Sequence, residues 1–122
     1  MTEEVVFLDT YALFELLWGN SKYEEYSGVT GITTLFNLAE LNYGLKKDFS
    51  IAIADEFTSR FERLLVPLSV DDIKSAMSLR IKNKNLSIPD AVGYSVAQRL
   101  GIKFLTGDDD FKEFSEVILV KK

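Results

Sequence analysis

The stretch from Ser87 to Phe111, SIPDAVGYSVAQRLGIKFLTGDDDF, constrains the fold most. Ser87 can cap a helix, Pro89 suits the first turn, and Asp90 stands three residues after the cap. Val92, Val96 and Leu100 recur at four-residue spacing and predict one apolar stripe. Gly101 suits the left-handed position that ends a helix. Ile102 to Leu105 is then an apolar run of buried-strand length. Thr106, Gly107 and three aspartates, Asp108, Asp109 and Asp110, follow at once. In open α/β sheets the carboxyl ends of strands are where active sites gather. Adjacent carboxylates repel one another and add nothing to a core, so this run asks for a cation.

The start of the chain repeats the arrangement. Val5 to Leu8 is an unalternating apolar run, as in a central parallel strand covered on both faces, and Asp9 follows it. Thr10 can cap the next helix, whose Tyr11, Leu13, Phe14, Leu16, Leu17 and Trp18 make it apolar nearly all round, so it must be buried or form an interface. Gly19 and Asn20 end it, and Ser21 to Tyr26 reads as a further short helix. Val29 to Thr33 is the expected second strand. Thr33 or Thr34 then caps a helix running to about Leu45, with Leu35, Leu38, Ala39, Leu41 and Leu45 on one face. Glu40 borders that face beside Phe36 and Tyr43, and Asn42 falls inside it and needs a hydrogen-bond partner.

Lys46, Lys47 and Asp48 read as a polar break. Ser50 to about Leu64 suits an amphipathic helix, and Leu65 to Leu68 a short strand. Ser69 opens a helix with Ile73, Ala76, Met77 and Ile81 on its inner stripe. That helix runs into Arg80-Ile81-Lys82-Asn83-Lys84-Asn85, the most basic stretch in the chain. Val117 to Val120 closes the sheet. Strands alternating with helices predict a three-layer α/β/α fold around a central parallel sheet, as one domain over residues 1–122.

Composition decides which chemistry is open. The 122 residues contain no cysteine and no histidine, which excludes disulfides, thiol nucleophiles, zinc–thiolate sites and histidine general bases. Carboxylates, Lys, Tyr, Ser and Thr remain. No apolar run reaches membrane-spanning length, and the start, Met1-Thr2-Glu3-Glu4, is too acidic for a signal peptide, so a cytoplasmic protein is expected. The formal net charge of −5 argues against nucleic acid as a partner, but its distribution matters more. Setting aside Asp9, Glu40, Asp90, Asp108 and Asp110 from the 19 acidic residues leaves a remainder that the 14 Lys and Arg balance.

In a parallel sheet Asp9 and Asp108 end on one edge, and Asp90 and Glu40, near helix starts, can point to it. Hard oxygen donors without nitrogen or sulfur suit Mg²⁺ or Mn²⁺. Such a site could activate a water for hydrolysis without histidine. At these residues the chain resembles the PIN-domain ribonucleases, of the small kind that serve as VapC toxins of toxin–antitoxin pairs. The matching pieces are Phe7-Leu8-Asp9-Thr10, Glu40-Leu41-Asn42-Tyr43-Gly44, Pro89-Asp90-Ala91 and Thr106-Gly107-Asp108-Asp109-Asp110-Phe111, in that order. The resemblance implies Asp9, Glu40, Asp90 and Asp108 as catalytic metal ligands, with Asp110 in or near the metal shell. It implies Thr10 and Thr106 as residues that position the carboxylates. It further implies Mg²⁺- or Mn²⁺-dependent cleavage of RNA, a homodimer and a cognate antitoxin. Tyr11 departs from the pattern, since many relatives carry a polar residue there.

Each residue also has an ordinary structural use. Ser87 and Asp90 form a capping-box pattern, and Asp9 can cap the first helix. Asp108 to Asp110 can be a solvated turn, and Glu40 can snorkel to water. Arg80, Lys82 and Lys84 are candidates for RNA contact, but positive charge also suits a helix carboxyl end. Phe14, Leu17 and Trp18 are candidates for the antitoxin surface. The competing functions are a phosphoryl-transfer domain and a non-catalytic PIN-fold interaction module. A receiver needs an aspartate after a central strand and a lysine after a later one, and Leu65 to Ser69 carries no such aspartate. A haloacid-dehalogenase-type phosphatase needs an aspartate where Tyr11 stands.

Overall fold

The structure is a computed structural model and describes residues 4–122, so the acidic start at Met1 to Glu3 lies outside the described residues. The strands are β1 (Val5–Leu8), β2 (Thr30–Ile32), β3 (Lys103–Thr106) and β4 (Val117–Leu119). They form one fully parallel sheet in the order β2-β1-β3-β4. The helices are α1 (Thr10–Trp18), α2 (Leu35–Asp48), α3 (Ile51–Ser59), α4 (Val70–Lys82) and α5 (Ile88–Leu100). No helix among the described residues is long and apolar enough to cross a membrane.

Alternation along each strand builds the three layers. Val6, Leu8 and Leu105 pack with Ala12, Leu13, Leu38, Leu41 and Leu45, the layer of α1 and α2. Phe7 and Phe104 face the other way, onto Tyr94, Val96 and Ala97 of α5 and onto Phe111. On that side Phe7 stacks on Phe104 with ring centres 5.5 Å apart, and Phe111 closes over Phe104 at 4.7 Å. The α4 helix lies against α5 through Ala76, Ala91 and Val92. Asp72, at the start of α4, is 3% exposed and takes two hydrogen bonds from the Arg99 guanidinium at the end of α5, at 2.6 and 3.1 Å. That pairing holds the Asp72 carboxyl below its ordinary value.

Several elements differ from the sequence reading. Asp9, and not Thr10, caps α1, and Thr10 is the first helical residue. The helix α2 continues through Lys46, Lys47 and Asp48, because lysines are good helix formers and stabilise the negative carboxyl end. The helix α3 stops at Ser59, and a single 3₁₀ turn covers Glu62–Leu64. Leu65 to Leu68 does not form a strand. Its pairing is limited to one bridge between Thr33 and Leu65, and Pro67 lacks the N–H a longer ladder needs. Leu35, Ile81 and Leu100 are exposed, since each lies at a helix end beyond the reach of the neighbouring layer. Asn42 does find partners, donating to Asp55 and Thr58 of α3 at 3.0 and 2.9 Å.

Candidate active site

Sheet register sets the site. Leu8 pairs with Leu105, so the residues that follow, Asp9 and Thr106, stand side by side at the carboxyl edge of the two central strands. Asp9 Oδ1 accepts the Ala12 N–H at 2.8 Å, as an N-cap. The Thr106 hydroxyl also hydrogen-bonds the Asp9 carboxylate. Thr106 Oγ1 in turn accepts the Asp108 N–H at 3.0 Å, so one threonine links the two aspartates.

The other carboxylates are anchored by the same device. Asp90 Oδ2 accepts the Ser87 N–H at 3.0 Å, while Ser87 Oγ accepts the Asp90 N–H at 3.1 Å, a full capping box. Asp108 Oδ1 accepts the Asp110 N–H at 2.9 Å and starts the 3₁₀ turn Asp109–Phe111. Three aspartates therefore each commit one oxygen to a backbone amide at the start of a helical segment. Capping and ligation are compatible, since a carboxylate that caps with one oxygen still has a second.

The electrostatics show how close the group stands. Burial pushes the Asp9 carboxyl from 3.8 up to about 8; Thr106 and the Ala12 amide oppose this, and Asp90 and Asp108 add to it. Asp90 is raised to about 6, again by burial first, with Glu40 and Asp108 contributing. Asp9, Asp90, Asp108 and Glu40 thus share one field. They do not share a coordination sphere: among the described residues, no three carboxylates close around one point tightly enough to hold an ion. The donor chemistry, oxygen ligands without nitrogen or sulfur, fits a hard cation. Asp110 is exposed at the border of this group.

Asn37 is the residue that the sequence reading missed. It is fully buried. The Thr34 hydroxyl donates to its Oδ1 at 2.7 Å, and its Nδ2 donates to Thr10 Oγ1 at 3.2 Å. A Cβ placed on Gly93 of α5 would come 3.3 Å from the same Oδ1. Asn37 therefore sits where α1, α2 and α5 meet. It is one turn from Glu40, next to Thr10 that follows Asp9, and beside Gly93, which is one turn after Asp90. Its signal in the sequence is an asparagine three residues after the Thr34 cap. Thr10 thus contacts Asn37, and acts on Asp9 only as its chain neighbour.

Tyr11 has a structural partner too. A Cβ on Gly107 would overlap its ring, so glycine is required there for close approach. The Tyr11 hydroxyl accepts the Lys122 N–H at 3.0 Å, and Lys121 pairs with Asp109 at 2.9 Å. The tail after β4 is thereby fastened across the loop that carries Asp108.

The remaining candidates fall in two places. Arg80 Nε donates to the Leu86 carbonyl at 2.9 Å and braces the α4–α5 loop, while Lys82 and Lys84 are exposed. Phe14 and Leu17 are half-buried against the core, and Trp18 is 48% exposed and packs on the exposed Phe49.

The model of the PIN domain family matches residues 6–117 of the chain. No curated protein matches it. Among solved structures, the chain is similar to Mycobacterium tuberculosis VapC20, a sarcin–ricin loop cleaving toxin, with a TM-score of 0.77 at 19% identity over 96% of this chain and 99% of that one. A toxin–antitoxin complex from Klebsiella pneumoniae gives 0.74 at 22%, over 96% and 99%. DNA-bound VapBC from Salmonella typhimurium gives 0.70 at 16%, over 98% of both chains. At such identities the likeness is one of fold.

Proposed function

Because the chain belongs to the PIN domain family, we propose that it is an endoribonuclease that hydrolyses RNA phosphodiesters with Asp9, Glu40, Asp90 and Asp108, as the toxin of a toxin–antitoxin pair. The observation that carries this reading is the Asp9 carboxyl, buried at the carboxyl edge of the sheet and raised to about 8 in the field of Asp90 and Asp108. Capping α1 does not require a cluster of acids around it, and acids shifted by burial and by one another are candidates for functional sites.

Asp9, Glu40, Asp90 and Asp108 would hold Mg²⁺ or Mn²⁺, with Asp110 at the edge of the set. When bound, the ion supplies charge neutralisation of the phosphate and a nucleophile at neutral pH. The chain's own part is to fix the carboxylates through the Ala12, Ser87 and Asp110 amides and through Thr106. With no histidine to take a proton from the 2′-hydroxyl, hydrolysis by water is the open route, leaving 5′-phosphate and 3′-hydroxyl ends.

The partner reading rests on two supports. Structures similar to this chain are toxin–antitoxin complexes. Trp18 and Phe49 also form an exposed aromatic pair, with Ile51 and Ile53 exposed on the following helix, and large exposed apolar patches mark interaction sites. A homodimer is proposed alongside and is checked by light scattering.

The test is incubation of purified protein with assorted RNAs in Mg²⁺ or Mn²⁺, with and without chelator, followed by mapping of the ends. Cleavage that chelator stops, and that Asp9→Asn or Asp90→Asn abolishes without unfolding, is the expected result. Undiminished cleavage by either variant would overturn the assignment.

A further inference from the structure

A surface cavity of about 240 Å³ lies between the α4–α5 loop and the 3₁₀ turn after β3, lined by Lys82, Asn83, Lys84, Asn85, Leu86, Asp110 and Phe114. It joins the most basic stretch of the chain to the loop that carries Asp108, whose Oδ1 takes the Asp110 N–H. Resting on the nuclease reading above, we propose that this cavity is a subsite for one nucleotide of single-stranded RNA, flanking the scissile phosphate held at the carboxylates.

The lining divides by chemistry. Lys82 and Lys84 are exposed and have no ion-pair partner among the described residues, so their charge is available to a phosphate. Asn85 offers an amide that can both donate to and accept from a base edge. Phe114 is half-buried and held edge-on by Tyr94 and Phe111, with ring centres 5.1 Å away in both cases. A ring fixed in this way is a platform for a base, as in single-strand binders. Asp110 lies on the side of the cavity that faces the carboxylates.

Two further facts favour a strand over other occupants. The loop is pre-formed, since Arg80 holds the Leu86 carbonyl and Asn83 Nδ2 holds the Leu79 carbonyl at 3.0 Å. The volume is below the roughly 300 Å³ at which small-molecule pockets begin, which suits one unit of a longer chain. A larger cavity of about 510 Å³ opens on the other side of Lys84, along Met77, Arg80 and Ile81, but nothing in its lining connects it to the carboxylates.

The experiment measures binding of a short fluorescent single-stranded RNA to full-length protein in chelator, where cleavage is off, across a salt series. Lys82→Ala/Lys84→Ala should weaken binding about tenfold and flatten the salt dependence by between one and two counterions. Phe114→Leu should weaken it several-fold with the salt slope unchanged. The control, Lys22→Ala/Lys47→Ala, removes two lysines that also have no ion-pair partner among the described residues and should cost far less. With metal present, the loop variants should raise KM and leave kcat alone. Equal losses from the loop and control pairs, or wild-type binding by the loop variants, would sink the subsite. RNA that binds through the loop but is never cut would instead sink the hydrolytic reading and leave the subsite standing.

Discussion

The buried Asp9 carboxyl makes a quantitative prediction about stability. Its pKa is raised from 3.8 to about 8 in the folded chain, burial being the main cause. The folded chain therefore holds a proton that the unfolded chain has released across that window. Stability is fully present below pH 3.8 and falls as pH rises towards 8. Between 3.8 and 7 lie roughly three pH units at about 1.4 kcal/mol each, so Asp9 withholds at most about 4 kcal/mol at pH 7. Asp9→Asn keeps the cap on Ala12, because asparagine and aspartate cap alike. It removes the ionisation but turns an amide N–H or oxygen towards Thr106, whose hydroxyl already accepts from Asp108.

A net gain of about 1–3 kcal/mol at pH 7 in chelator is the expected balance. The pH dependence is the sharper readout. Urea unfolding of wild type and Asp9→Asn at pH 5, 6 and 7 should show the gap opening by up to about 1.4 kcal/mol per pH unit. Saturating Mn²⁺ should then close it from the wild-type side, by about 2.7 kcal/mol at a hundred times Kd. Two parallel stability curves in chelator would refute the reasoning, since a carboxyl with an ordinary pKa gives no such divergence. Burial sets this cost at Asp9, which is 2% exposed.

Other consequences follow from the same contacts. Gly107→Ala should cost about 1–3 kcal/mol, because its methyl group meets the Tyr11 ring; a double-mutant cycle with Tyr11→Ala should show strong coupling, and additive losses would contradict the contact. Arg99→Met leaves the buried Asp72 carboxylate unpaired and should cost about 2–4 kcal/mol in denaturant titrations at pH 7. Asp72 acts opposite to Asp9: its lowered pKa gives stability that is present above 3.8 and lost as pH falls further, so Arg99→Met should lose less at pH 3 than at pH 7. Asn37→Ala takes the acceptor from the buried Thr34 hydroxyl and one donor from Thr10 and should cost about 1–3 kcal/mol; RNA cleavage should fall further than the folded fraction does, and parallel losses would make Asn37 merely structural.

What the sequence disclosed depended on whether a signal was local. The Ser87–Asp90 box and the Gly101 stop are written in adjacent residues and stand in the structure as read, and the strand before Asp108, read as Ile102 to Leu105, lies one residue later at Lys103–Thr106. Element ends were less legible, because the apolar stripe of a helix continues past the point where a neighbouring layer covers it. Leu100 and Ile81 continue their stripes on the helical wheel, yet both are exposed. The false strand at Leu65 to Leu68 has the right composition but lies outside the sheet. Apolar runs of four residues do not say whether a ladder partner exists for them.

Asn37 shows why the centre of the site was harder to read than its acids. An aspartate after a strand announces itself, because a charge there has few structural uses. A buried asparagine is visible only when its partners are known, and those of Asn37 come from Thr10 and Thr34, with Gly93 closing over it. Its side-chain amide suits this junction, since an apolar side chain would leave the Thr34 hydroxyl without its acceptor and Thr10 without one donor. The carboxylates at Asp9, Glu40 and Asp90 ride on those three helices. Asn37 thus ties together, beside their apolar packing, the helices that carry all three, and a change that lets α2 shift against α5 would move Glu40 relative to Asp90.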